Sequence, residues 1–191
     1  MTARTNERVN QKRRTYNAIL AAAVELIRTG QTVTMPEVAK AALVSEATAY
    51  RHFPDLVTLV RAAMEGQLPT ADQALHPVAD STDPTERVAA VTEHLLRHVL
   101  EFQAAVRTSI AAAITQPSLA SERPGLRFAL IDAALVPLPE SPEKTQLKND
   151  LAVVVSAEAL FCLTDLCGMP PENAIASIVH TATTLVRAAK L

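Results

Sequence analysis

Residues 34–53 read TMPEVAKAALVSEATAYRHF, and this stretch decides the fold. Thr34-Met35-Pro36-Glu37 has the form of a capping box, with proline in the first turn where no backbone donor is needed. It opens a short helix, Met35 to about Ala42, that turns Val38 and Ala39 to a core. A break at Leu43-Val44 follows. Ser45 then caps a second short helix, Glu46 to His52, which Phe53-Pro54-Asp55 ends. Two short helices across a three-residue break form a helix-turn-helix pattern. In that arrangement the first helix braces the second, and the N-terminal part of the second enters the major groove. Glu46, Ala47, Thr48 and Arg51 are small or hydrogen-bonding, as a groove face requires. Val44 and Phe53 are the expected buried anchors.

Around this stretch, residues 1–66 read as four helices behind a basic arm that holds Arg4, Arg8, Lys12, Arg13 and Arg14. From Thr15, Ile19, Leu20, Ala23, Val24 and Ile27 share one helical face, and Gly30 stops that helix. A fourth helix begins after Asp55 and runs through Leu56, Leu59 and Val60 toward Gly66. The arm is either a nucleic-acid contact or a solvated tail.

The resemblance enters here. Ala22-Ala23, Leu26, Gly30, Thr34, Val38-Ala39, Ala42, Val44-Ser45, Thr48, Tyr50, His52-Phe53 and Leu59 make this segment similar to the TetR family of transcriptional regulators. The likeness covers roughly residues 12–64. It implies that Ser45, Thr48, Tyr50 and His52 seat the recognition helix on phosphates. It also makes Glu46, Ala47, Thr48 and Arg51 candidates for base edges, with Arg51 suited to guanine and Glu46 to cytosine N4. Arg13 and Arg14 are candidates for phosphates or the minor groove, and Thr34 for a phosphate at the start of the bracing helix. The sequence departs from the family pattern twice: Leu43 stands where glycine is usual in the turn, and Leu56 where lysine is usual.

Composition agrees with an all-helical chain. Of 191 residues, 49% are hydrophobic and 20% charged, with only 4 Gly and no Trp. The net charge of -2 argues against nucleic acid only as a total. Residues 1–66 carry nine Lys/Arg against six Asp/Glu, a net of +3, and residues 67–191 carry nine against fourteen, a net of -5. The first 16 residues are polar and basic, and no apolar run approaches the roughly 20 residues that span a bilayer. No secretory signal and no membrane partner are expected, and the cytoplasm is the expected location. Cys162 and Cys167, five apart, fall on different faces of an α-helix. They are expected to be small buried hydrophobes rather than a disulfide.

Beyond residue 66, helices are expected from Asp83-Pro84 to about Glu101, then over Phe102–Thr115, either continuous or kinked. Others are expected over Gly125–Leu135, Pro142–Cys167 and Pro171–Ala189, with loops between Pro117 and Pro124 and across Pro137–Pro142. His94, His98 and Glu101 flank the stripe of Val88, Val91, Leu95, Val99 and Phe102, and are read as boundary residues, not metal ligands. Glu93, Arg97 and Glu101 form a solvated charged face. Leu151–Leu166 is apolar nearly all round, which requires burial on every side, and Glu158 within it needs a partner.

The resemblance implies a dimer interface from the last two helices, with Leu151, Val155, Ile175, Ile178, Val179, Ala182, Leu185 and Val186. Intrachain packing accounts for the same stripe. It also implies a small-molecule site, for which His98, Phe102, Arg107, Phe128, Asp132, Glu158 and Phe161 are candidates beside a plain core role.

The expected fold is therefore all-α: a three-helix helix-turn-helix DNA-binding domain with its basic arm over 1–66, and a helical ligand-binding and dimerisation domain over 67–191. The expected function is a ligand-responsive regulator, a repressor acting as a homodimer on a palindromic double-stranded operator. No cofactor and no catalytic residues are expected. The alternative is a small-molecule-binding or protein-interaction module with weakened DNA binding.

Overall fold

The computed structural model describes residues 2–31, 33–65, 67–116 and 125–189, with side chains from Val9 onward. The loop expected between Pro117 and Pro124 lies outside the described residues. No strand occurs among the described residues. The helices are α1 (Thr2–Arg28), α2 (Met35–Ala41), α3 (Glu46–His52), α4 (Leu56–Met64), α5 (Ala71–Leu75), α6 (Pro84–Glu101), α7 (Gln103–Thr115), α8 (Leu126–Ala134), α9 (Pro142–Val154), α10 (Ala157–Phe161) and α11 (Pro171–Ala188). A 3-10 turn follows α5 at His76–Val78, and a π turn follows α10 at Cys162–Leu166. The chain divides into two compact units: Met1–Leu68 with Glu101–Arg123, and Pro69–Leu100 with Pro124–Leu191.

In the first unit, Ile19, Ala23 and Ile27 of α1 are fully buried against Val38, Ala39, Ala49, Phe53, Leu59 and Val60. Phe102 and Ala105, at the start of α7, join this core. The caps expected from sequence are in place. Thr34 accepts from the Glu37 amide, Ser45 from the Thr48 amide and Asp55 from the Thr58 amide. Glu37 departs from the reciprocal box: its carboxylate accepts a hydrogen bond from the Thr34 hydroxyl at 3.0 Å.

The basic arm is not a separate segment. Its backbone is helical from Thr2 and continuous with α1. Nothing between Thr2 and Thr15 breaks a helix, because the stretch has neither Gly nor Pro.

Two helix ends in this unit share one geometry. After α1, the Gln31 amide donates to the Leu26 carbonyl and the Gly30 amide to Ile27, both at 3.1 Å, with Gly30 at φ 67. After α2, the Val44 amide donates to Ala39 at 2.9 Å and the Leu43 amide to Lys40 at 3.2 Å, with Leu43 at φ 55. Both are Schellman motifs. The turn therefore keeps its glycine-type geometry with a leucine in it. Packing does not offset the strain, because the Leu43 side chain is 92% exposed.

In the second unit, α6 buries Val88, Val91, Leu95, Leu96 and Val99. Phe102, at φ -110 and ψ 28, interrupts the helical course between α6 and α7. Arg87 ties down the end of α8, donating to the carbonyls of Ala133 (2.9 Å) and Ala134 (3.1 Å), and also to that of Ser81 (3.2 Å). Lys144 is buried, and its ammonium donates to Glu140 at 2.6 Å and to the Leu138 carbonyl at 2.8 Å. The Glu140 carboxyl is thereby held below its ordinary range.

The single long helix expected over Pro142–Cys167 is three pieces. Val155 leaves helical geometry at ψ 71, and Ser156, extended at φ -148, starts a new helix by accepting from the Ala159 amide. The β-branched run Val153-Val154-Val155 before a serine able to cap explains the break. The segment is not buried on every side either: Val153 and Leu166 are 73% and 84% exposed. Both cysteines, expected to be buried, are exposed.

Leu43→Gly should raise unfolding free energy by about 0.5–1 kcal/mol. Relief of left-handed strain, about 1–2 kcal/mol, outweighs the added freedom of the unfolded chain. Urea denaturation checks it, and an unchanged or lowered midpoint contradicts the strain. Arg87→Met should cost about 2 kcal/mol, since three carbonyls lose a charged donor.

Candidate nucleic-acid interface

The surface of α3 follows from its short length and from what anchors it. Ala49, one turn from Phe53, is fully buried, and Phe53 is 2% exposed. That pins one side of the helix to the core. Glu46, Ala47, Tyr50 and Arg51 fall on the other side and are exposed, with Thr48 half-buried between them. Ser45 and Thr48 share a hydroxyl hydrogen bond at 2.9 Å, and Arg51 Nη2 donates to Thr48 Oγ1 at 3.4 Å. The guanidinium is thus partly oriented before any partner arrives.

At its C-terminal end, α3 meets α1. The Tyr16 ring stacks on Phe53 at 4.9 Å between centroids and lies 6.2 Å from the His52 ring. The His52 imidazole is held below its ordinary value of 6.5, first by burial, then by the positive charges of Lys12 and Arg51. Lys12, on α1, is thus near enough for its charge to act on His52. Arg13 and Arg14 are also exposed on α1.

The sequence reading placed Lys12 only within the basic arm and left Tyr16 unmentioned, although Lys12, Tyr16, Ile19, Ala23 and Ile27 follow one another at helical spacing and so share a side of α1. Thr34 is half-buried at the head of α2. Leu56 packs partly buried against the first unit's core, so apolar contact stands where the family pattern has a cation.

The remaining candidates lie as follows. Phe102 belongs to the first unit's core, and Arg107 is half-buried on α7 of that unit. His98, Phe128, Asp132, Glu158 and Phe161 lie in the second unit, so the seven ligand candidates divide between the two. Glu158 Oε1 pairs with Arg127 Nη2 at 3.4 Å, the partner its setting requires. Asp132 pairs with Lys148 at 2.8 Å, and Phe128 is 55% exposed. Of the dimer candidates, Leu151, Val155, Ile175, Ile178, Ala182 and Val186 are buried within the single chain, while Val179 and Leu185 are half-buried. Arg97 pairs with Glu93 at 2.8 Å and with Glu172 of α11 at 3.2 Å, a broader charged face than α6 alone offers.

Among the described residues, no group of three or more His, Cys, Asp or Glu is placed to hold a metal, and no helix is long and apolar enough to cross a membrane.

Comparison with known proteins bears on α1–α4. Residues 19–63 match the family model described as bacterial regulatory proteins, tetR family. No curated protein matches the chain. Among solved structures, a TetR transcriptional regulator from Rhodococcus sp. RHA1 is 23% identical, with 95% of this chain and 99% of that chain covered and a TM-score of 0.62. Another transcriptional regulator from the same organism is 22% identical, with 92% and 98% covered and a TM-score of 0.63. The TetR-like regulator LfrR from Mycobacterium smegmatis, solved in complex with proflavine, is 21% identical, with 91% and 97% covered and a TM-score of 0.52.

Titration of His52 by NMR should give a midpoint below 6.5, and Lys12→Ala should move it up toward that value. The sign for stability follows. The unfolded chain takes the proton more readily, so the contribution is complete above pH 6.5 and is lost as pH falls toward the folded midpoint. No movement in Lys12→Ala contradicts the proximity.

Proposed function

From a tetR-type N-terminal domain within the fold of TetR-family transcriptional regulators, we propose a homodimeric, sequence-specific DNA-binding regulator, a ligand-responsive repressor acting on a palindromic operator. The observation that carries this reading is the exposed face of α3. Arg51, Tyr50, Ala47 and Glu46 point outward from a helix whose opposite side is pinned by Ala49 and Phe53.

Each residue has a role under the proposal. Arg51 suits bidentate recognition of guanine, and Glu46 suits a cytosine amino group. Ser45, Thr48, Tyr50 and His52 seat the helix on phosphates, with Thr34 and the α1 cations Arg13 and Arg14 beside them, and Lys12 is added to that set. Phosphates bring negative charge to His52, so DNA binding takes up a proton there and strengthens as pH falls.

Repression by a dimer requires two α3 helices about 34–36 Å apart, one turn of DNA. An effector held by the second unit lowers affinity by favouring a conformation with another spacing, to the extent that it binds that conformation better. The segment of α9, α10 and the π turn, together with α11, is the proposed dimer contact, with exposed Val153 and Leu166 adding apolar surface to it. The cytoplasm is the proposed location, and the proposed role is not enzymatic.

The reading with weakened DNA binding rests on Leu43 and Leu56. The turn at Leu43 keeps its hydrogen bonds, which speaks against the first as a ground for it. Packing of Leu56 supports, at most, the loss of one phosphate contact.

Selection of binding sites from random duplex DNA should return an inverted repeat. Arg51→Ala should relax one position in each half-site and weaken binding by about 1–3 kcal/mol. Lys12→Ala should weaken binding to all sequences alike and flatten the salt dependence by about one unit per subunit. A monomer in sedimentation, or recovery of no sequence, refutes the proposal.

A further inference from the structure

Three polar side chains, each one turn from the next, form a hydrogen-bonded chain along α3. Ser45 Oγ and Thr48 Oγ1 lie 2.9 Å apart and share a hydrogen bond. Arg51 Nη2 donates to Thr48 Oγ1 at 3.4 Å, and the Thr48 amide donates to Ser45 Oγ at 3.2 Å. Ser45 and Arg51, at the two ends, are exposed, and Thr48 between them is half-buried.

Counting hydrogens fixes what this chain offers to a partner. Two hydroxyls bring two hydrogens, and the bond between the oxygens takes one, so a single O–H is left for an outside acceptor. The sense of the shared bond decides which residue supplies it. A guanidinium donates and never accepts, so Thr48 Oγ1 is the acceptor at that end. If Ser45 donates to Thr48, both lone pairs of Thr48 Oγ1 are filled and the remaining hydrogen belongs to the half-buried residue. If Thr48 donates to Ser45, the bonds run in one sense from Arg51 through Thr48 to Ser45. Ser45 Oγ then accepts from the Thr48 amide and hydroxyl, and the remaining hydrogen belongs to the exposed residue. Bonds that run in one sense polarise one another, which favours this second arrangement.

We propose that Thr48 is the positioning residue for Arg51: its hydroxyl orders the guanidinium before a base is met, and Ser45 alone gives a hydroxyl hydrogen to a phosphate. This rests on the proposed DNA-binding function and narrows it, since both hydroxyls were placed on phosphates there. The bond to Thr48 occupies one N–H of Nη2 and leaves the rest of the guanidinium for guanine O6 and N7. At 3.4 Å the contact is loose enough to shift as a base arrives. Without it, Arg51 must be ordered from many rotamers at the moment of binding. That cost falls only on the complex in which Arg51 holds its base. Loss of the Thr48 hydroxyl therefore lowers discrimination at one position and leaves affinity for other sequences unchanged.

Site selection from random duplex DNA, with the full-length chain and with Arg51→Ala, identifies the position that Arg51 reads. In Thr48→Val, which keeps the side-chain shape, the preference at that position should fall about three- to tenfold, with preferences elsewhere unchanged. Thr48→Ser, which keeps the hydroxyl, should restore it to within about twofold. Ser45→Gly, which removes the hydroxyl at little cost to the helix start, should weaken binding to all sequences alike. In the free chain, NMR relaxation at Arg51 Nε should show a lower order parameter in Thr48→Val than in Thr48→Ser. Uniform weakening in Thr48→Val with every preference kept makes Thr48 a phosphate contact and overturns the proposal. An Arg51 order parameter that Thr48→Val leaves unchanged, or a selected site with no position sensitive to Arg51, overturns it as well. Unchanged affinity in Ser45→Gly overturns the part assigned to Ser45. Recovery of no sequence at all counts against the DNA-binding function instead, and the relaxation measurement still decides whether Thr48 orders Arg51.

Discussion

Everything that α3 presents outward depends on the burial of Phe53. The ring closes the C-terminal end of a seven-residue helix that has little stability of its own. Stacking against Tyr16 of α1 and packing beside Leu59 and Val60 of α4 hold it from two sides. With Phe53 fixed and Ala49 beneath it, the rotation of α3 about its axis is set. Arg51 and Tyr50 then have one direction to face. Removing the ring would leave the exposed residues chemically intact and geometrically undefined, which is why so short a helix can carry an interface.

Most of the first unit was legible in the sequence, because its signals are local. Thr34, Ser45 and Asp55 fix three helix starts through one hydrogen bond each, and the pattern around Ile19, Ala23 and Ile27 fixes the buried side of α1. What escaped was set by competition between signals. The arm looks polar, and polarity hid that nothing in it opposes a helix. Over 142–167 the apolar composition suggested one buried helix. The β-branched run ending at Val155 and the capping oxygen of Ser156 prevail there, and a π turn follows. The expected burial of Cys162 and Cys167 failed with it, while both remain free thiols.

Leu43 and Leu56 are two departures with different physics. Leu43 leaves the turn's hydrogen bonds unchanged and accepts a strained backbone, so its effect falls on stability and not on shape. Leu56 trades a charge for core contact, so its effect falls on long-range electrostatics and not on the cap, which Asp55 supplies. Phe53 and Tyr16, which anchor α3, are separate from both positions.

The unbroken course of α1 carries a thermodynamic consequence. A loose basic arm would surrender about 1–2 kcal/mol of backbone freedom for each residue ordered on a partner. In α1 that ordering is complete before contact, since the cations ride on the same rod as Ile19, Ala23 and Ile27. Lys12, Arg13 and Arg14 lie on one continuous helix with the buried stripe, which suits association that is rapid and sensitive to salt.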